Sequence, residues 1–320
     1  MNRRMWLTVF VITLLALSLV MAGCGQGENS SEEPASEEPG GENGESQGND
    51  GGTVSIMIAG SDSEVNLVTR MAEEYMNANE GVSIAVTGGG SGVGITSLID
   101  GDIDIANASR PMKDEEVEAL KANSGEDTYA VRFAVDGVAV IVNENNPLAE
   151  LTVEQIGAIY RGEITSWAEV GGEDREITIY GRQSTSGTYV FFMEKVVQGD
   201  YSPEMRNLAG NSDIVEAVKN DAGGIGYCAI GYAGGEGMKA LMVAADTGSD
   251  AFDPTILENV TSGDYPLTRP LYQYVAGKPG GAILDFFLFE TGDQGQNIVL
   301  DEGFYPITTS DVEFNKDALQ

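Results

Sequence analysis

Residues 181–192, GRQSTSGTYVFF, set an arginine, four hydroxyl side chains and a glycine at the point where an aromatic, helix-like run begins. A guanidinium offers a planar fork of donors, hydroxyls donate without charge, and the free N–H groups of a helix start favour negative charge. Together they could hold an oxyanion. A second stretch of the same kind, TGGGSGVGITSLI (87–99), places Ser91 where another helix should start. Neither is a nucleotide loop of the Walker type, because no Gly-Lys-Ser/Thr follows, and neither Ser91 nor Ser186 sits in a GxSxG elbow. Each alone could be a tight strand-to-helix connection. The residues therefore support an anion site over a nucleotide site.

Composition narrows the chemistry. Histidine is absent from the 320 residues, which removes the Ser-His-Asp triad, the histidine general base and the usual zinc site together. Asp and Glu number 51 against 17 Lys and Arg, for a net charge of -34. A chain so acidic lacks the basic footprint that nucleic acid requires, so no nucleic-acid partner is expected. Binding an anion must then rest on oriented neutral donors and a local guanidinium, since the global field repels the ligand. The two cysteines are Cys24 and Cys228, and modification of Cys24 would leave no disulfide within one mature chain.

The first 23 residues read as a signal peptide: Arg3 and Arg4, an apolar run from Trp6 to Ala22, then small residues before Cys24. The ending VMAGC resembles a lipobox, which would leave a lipid on Cys24. An uncleaved anchor is the alternative, since the run nears the ~20 residues a bilayer needs. The Arg pair also resembles a twin-arginine signal, so the export route stays open. Residues 24–52 are rich in Gly, Ser, Glu and Pro with no large apolar residue, and read as an acidic disordered tether. Only eight of the acids lie between Glu28 and Asp50, so the tether does not explain the imbalance.

From Thr53 the text alternates strand and helix. Strands are expected over 53–59, 82–87, 102–108, 176–181 and 270–276, with one long extended passage through Gly137. Val65, Val68, Met71, Ala72, Tyr75 and Met76 fall at helical spacing, and Thr152 with Gln155 forms a capping box. Alternation of this kind implies an α/β fold with largely parallel sheets, and ligands in such folds sit where strands end and helices begin. Trp167 and Cys228 read as core; Arg110, Arg132 and Asp136 read as members of structural salt bridges.

The stretches AGSDSEVNLVTRMAEEY, GGGSGVGITSLIDGDIDIANASRPM, AVDGVAVIVN, LTVEQIGAIYRGEITSW, GRQSTSGTYVFF, GGIGYCAIGY and YPLTRPLYQYV occur in that order between Thr53 and Thr308. In this the chain resembles the PstS-type phosphate-binding proteins of ABC phosphate importers. The resemblance implies a two-lobed type II periplasmic-binding-protein fold, with lobe I formed by 53–136 and 264–320 and lobe II by 137–263. Its two hinge crossovers would lie in AVDGVAVIVN and on the approach to YPLTRPLYQYV. Phosphate ligands carried over by position are Asp62, Ser63, Ser91, Ser109, Arg182, Ser186, Gly187 and Thr188. Two departures stand out: Asp62 where many members have threonine, and Ser109 where some have an aspartate that accepts a hydrogen bond from phosphate.

The expected function is capture of inorganic phosphate outside the cell and delivery to ABC permease subunits, by a monomer held at the membrane through Cys24. No enzyme activity, metal or organic cofactor is expected. A buried Asp62 carboxylate could accept the hydrogen bond of a protonated phosphate and disfavour sulfate. The same turns could serve sulfate, molybdate or tungstate. A surface phosphoesterase is a further alternative with no base or metal cluster to support it, and a structural lipoprotein with a relict pocket is the last.

Overall fold

The computed structural model describes residues 53–320. The signal peptide (1–23), the tether (24–52) and lipidation at Cys24 lie outside the described residues.

Strand β1 (Val54–Gly60) leads to helix α1 (Val65–Ala78), β2 (Val82–Thr87), α2 (Ser91–Asp100), β3 (Ile105–Ala108), α3 (Asp114–Ser124) and the sixteen-residue β4 (Thr128–Asn143). Next come β5 (Glu150–Thr152), α4 (Val153–Arg161), β6 (Thr178–Arg182), α5 (Gly187–Phe192), β7 (Arg206–Leu208), α6 (Asn211–Lys219) and β8 (Gly224–Ala229). The chain continues with β9 (Met238–Ala240), β10 (Met242–Ala244), β11 (Ala251–Phe252), α7 (Leu257–Thr261) and β12 (Thr268–Ala276). Helices α8 (Gly281–Thr291), α9 (Asp293–Asp301), α10 (Thr309–Phe314) and α11 (Lys316–Leu319) close it.

The local signals place these elements. Helix α1 buries Leu67, Val68, Met71, Ala72 and Tyr75 along one stripe, the helical period of its apolar residues. At α4 the Thr152 hydroxyl accepts from the Gln155 N–H at 3.1 Å while Gln155 accepts from the Thr152 N–H at 2.9 Å, closing the expected box. Every residue of β8, GIGYCA, is buried, so this strand is covered on both faces. Cys228 lies within it, and Trp167 is likewise buried, donating its indole N–H to the Gly223 carbonyl at 3.1 Å.

The main sheet runs β2-β1-β3-β12-β4-β8-β6-β7, with β9 also on β4; a small second sheet orders β11-β10-β5. The outer strand pairs are parallel, as βαβ connections require. The centre corrects the expectation of a largely parallel sheet, because β12 pairs antiparallel with both β3 and β4, and β4 pairs antiparallel with β8 and β9. The reason lies in β4: up to Gly137 it pairs with β12, and from Val138 onward with β8. One strand thus borders two sheet portions, and the chain returns along it in the opposite direction through β12. A register shift interrupts that return between Leu271 and Tyr272.

Candidate anion site

Four strand ends deliver the polar residues. After β1 the backbone turns at Gly60, whose φ of 142° and whose absent Cβ, which would lie 2.1 Å from the Asn107 carbonyl oxygen, both demand glycine. The turn carries Ser61, Asp62 and Ser63. After β2 comes Gly88-Gly89-Gly90 and then Ser91, the first residue of α2. After β3 comes Ser109. After β6, which ends at Arg182, Ser186 caps α5: its Oγ accepts the Tyr189 N–H at 3.4 Å, leaving its O–H proton free to donate.

These residues meet. Ser63 Oγ lies 2.8 Å from Thr188 Oγ1. Ser91 Oγ accepts the Ser109 N–H at 3.1 Å and lies 3.4 Å from Ser109 Oγ, which in turn accepts from Ser61 Oγ at 3.0 Å. Gly187 is pressed against this group: a Cβ there would sit 2.3 Å from Ser91 Oγ and 2.7 Å from Ser109 Oγ. Ser63, Ser91, Ser109, Arg182, Ser186 and Thr188 are all buried. The two glycine turns also touch through their main chains, the Gly92 N–H donating to the Thr185 carbonyl at 3.0 Å.

Arg182 projects from the end of β6. Its own N–H donates to the Tyr227 hydroxyl at 3.1 Å, which ties it to the aromatic core where Tyr227 stacks on Phe192 at 4.1 Å. Its Nε and Nη2 donate to the Ala209 carbonyl at 3.1 and 2.8 Å, and Nη2 also meets Asp62 Oδ2 at 2.6 Å. Nη1 is buried and has no protein partner. Burial works against the guanidinium's charge and lowers its pKa, and Asp62 opposes that shift. An unsatisfied buried donor of this kind costs more than ~1–3 kcal/mol, since it belongs to a charged group. Filling it is what an anion among these hydroxyls would do.

Asp62 has both oxygens engaged, Oδ1 accepting from the Gly89 N–H at 2.9 Å and Oδ2 from Arg182. Its carbonyl accepts the Tyr232 hydroxyl at 3.0 Å, and burial pushes that phenol up to about 12, which keeps its proton in place. Asp62 therefore sits beside the candidate ligand position as the partner of Arg182.

The sequence reading missed Arg269 as a site residue. Its Nε and Nη2 donate to Asp136 Oδ2 at 2.9 and 2.7 Å, Nη1 to the Ser109 carbonyl at 2.9 Å, and Nη2 also to Thr188 Oγ1 at 2.9 Å and Ser63 Oγ at 3.2 Å. Because both hydroxyl oxygens accept from Arg269, their protons are turned away from it. Asp136 completes the brace by accepting the Ile230 N–H at 2.9 Å through Oδ1. The missed signal was an arginine inside the apolar strand PLTRPLYQYV and an aspartate inside the equally apolar AVDGVAVIVN, since buried charges in such runs must find each other. The other salt bridges expected of nearby residues form as Arg110 with Glu116 and Arg132 with Asp311. Among the described residues no three or more Cys, Asp or Glu side chains gather as metal ligands.

Comparison with known proteins adds the relatives. Residues 34–293 match a family model described as a PBP superfamily domain. The phosphate-binding protein PstS of Pseudomonas aeruginosa is 32% identical over 79% of this chain and 83% of its own length. The phosphate-binding protein PstS of Bacillus subtilis is 27% identical over 97% of this chain and 96% of its own. Among solved structures, a putative phosphate ABC transporter substrate-binding protein from Clostridium perfringens with bound phosphate superposes with a TM-score of 0.71 at 31% identity, covering 79% of this chain and 100% of that one. An ABC-type phosphate transport receptor from Vibrio cholerae gives 0.64 at 27%, over 79% and 100%.

Proposed function

Because the chain belongs to the PstS-type phosphate-binding proteins of the PBP superfamily, we propose that it binds inorganic phosphate among the two glycine turns and passes it to an ABC permease. The observation that carries this reading is the buried, unpartnered Nη1 of Arg182 beside a ring of buried hydroxyls. Among the described residues, Arg182 brings to the site a positive charge that the protein has not fully engaged, and Ser63, Ser91, Ser109, Ser186 and Thr188 contribute neutral donors. At ~1.5–3 kcal/mol for each charge-assisted bond, a handful reaches the ~8 kcal/mol of micromolar affinity after ordering costs.

In this reading residues 53–136 with 264–320 form one lobe and 137–263 the other, and the change of partners along β4 at Gly137 supports the division. Asp62 then reaches across to Arg182 from the opposite lobe. It holds the guanidinium in place and keeps an acceptor next to the ligand. A phosphate oxygen that still carries a proton can face Asp62; a sulfate oxygen meets like charge. The protein works at the outer face of the membrane as a monomer, its lipid on Cys24, and binds without catalysis: the hydroxyls and Arg182 are donors, and the Asp62 carboxylate is already held by Arg182 and the Gly89 N–H.

Titration calorimetry with phosphate and then sulfate tests the assignment. Phosphate should bind with at least micromolar affinity and sulfate more weakly. In Asp62→Asn the gap between the two should narrow. Equal binding of both anions by the unaltered protein would replace phosphate with a general oxyanion, and an unchanged gap in the variant would remove Asp62 from selectivity.

A further inference from the structure

Three successive residues after β8 each touch a part of the chain that the division at Gly137 assigns to the other lobe. They form a single 3-10 turn, Ile230–Tyr232, whose first N–H donates to Asp136 Oδ1 at 2.9 Å. Gly231 lies against the C-terminal segment: a Cβ on it would stand 2.5 Å from the Phe304 ring and 2.9 Å from the Glu302 carbonyl oxygen. Tyr232 then carries its hydroxyl to the Asp62 carbonyl, 3.0 Å away and 170 residues back in the chain. The turn is also held within its own lobe, since the Ala229 N–H donates to Asn211 Oδ1 at 3.1 Å and the Ala233 N–H closes onto the Ile230 carbonyl at 2.9 Å.

The three contacts differ in leverage. Ile230 and Gly231 touch beside the crossover, where β4 changes partner at Gly137 and Tyr305, next to Phe304, bridges Val135. Tyr232 touches at the anion site, on the residue whose side chain pairs with Arg182. A hinge motion about the crossover leaves contacts at the axis nearly unchanged and pulls apart those at the cleft. Asp62 is thus gripped from across the cleft twice, through its carboxylate by Arg182 and through its main chain by Tyr232. Because the phenol bonds a carbonyl, it adds to the grip without occupying either carboxylate oxygen.

Building on the phosphate reading and its two lobes, we propose that Tyr232 is an interlobe latch that sets how long the cleft stays closed over its anion. Release requires the turn carrying Ser61, Asp62 and Ser63 to part from Arg182 and Tyr232, so the phenol's hydrogen bond must break on the way out. On the way in, the anion meets an open cleft before that bond has formed. The latch therefore acts on dissociation and leaves association alone. Being uncharged, it does not distinguish phosphate from sulfate.

Two measurements on the full chain test this, and only one needs a ligand. In Tyr232→Phe, which removes the hydroxyl and keeps the ring, stopped-flow displacement should show phosphate leaving about fivefold faster, the worth of one neutral hydrogen bond, with the association rate and the phosphate-to-sulfate ratio unchanged. Hydrogen exchange at the Gly92 amide, which donates to the Thr185 carbonyl across the cleft, should quicken by a similar factor with or without phosphate, because that bond opens when the lobes part. Tyr274→Phe is the control: its hydroxyl accepts the Met112 N–H at 3.1 Å within one lobe, and its loss should alter neither rate. An unchanged release rate, an affinity loss carried by slower association, or Gly92 exchange that Tyr232→Phe leaves unaltered overturns the latch. A protein that binds no phosphate at all would overturn the proposed function instead, and the exchange at Gly92 would still decide whether Tyr232 holds the lobes together.

Discussion

Arg182 with Asp62 and Arg269 with Asp136 are the same two residue types at nearly the same separation, 2.6 and 2.7 Å. Both arginines are buried. The aspartates differ: the Asp62 side chain keeps 21% of its surface exposed, while Asp136 has none. The guanidiniums differ more. Arg269 has every nitrogen engaged, whereas Arg182 keeps Nη1 free of protein partners. A buried arginine binds or braces according to how many of its donors the fold has already filled, and the residue type alone does not tell which.

The sharpest way to break that contrast is to remove one aspartate. Asp136→Ala strands a buried guanidinium and should cost about 3–5 kcal/mol of stability, read by chemical denaturation. A loss below about 1 kcal/mol would mean that Arg269 is not a brace. Arg182→Ala should do the opposite, lowering phosphate affinity by about a hundredfold or more while the melting temperature moves little, because Asp62 can be hydrated when its partner is gone. Calorimetry and a melting curve on the same preparation separate the two effects.

Thr188→Val probes where the pairs meet, since Thr188 accepts from Arg269 and touches Ser63. Loss of one neutral hydroxyl should weaken phosphate binding by roughly fivefold, the worth of ~1 kcal/mol. The smallest effect belongs to a third pair, Arg110 with Glu116. Burial there works to raise the Glu116 carboxyl, but hydrogen bonds from Arg110 and from the Lys113 N–H outweigh it and hold the group below its usual range. Its folded pKa lies below its unfolded one, so its contribution is present above the unfolded value and lost as pH falls through the folded one. In an acid melting series Glu116→Gln should lack that component of the decline, and an unaltered profile would show the pair to be idle.

Much of the site was legible because glycine-hydroxyl turns are local chemistry. Gly90, Ser91, Ser186 and Gly187 declare a strand-to-helix turn within a few residues, and the structure brings the two turns into contact. The helical stripe of α1 and the capping box of α4 are local in the same sense. What stayed hidden depends on partners far apart in the chain. No periodicity within β4 reveals that β12, more than a hundred residues later, will lie antiparallel to it, so the mixed centre of the sheet was misjudged. Arg269 was hidden for the same reason, its role set by Asp136 on that neighbouring strand. Glu64 reads as one more acid in an acidic sequence until its burial is known.

The contact between Gly92 and Thr185 runs from main chain to main chain, and Gly90 presses on the same carbonyl, where a Cβ would come within 2.6 Å. The calibre of the gap between the turns is therefore fixed by backbone, independently of the hydroxyls that line it. Loss of a single hydroxyl, as in Thr188→Val, would leave that bore unchanged. A methyl group at Gly90, by contrast, would hold the gap open.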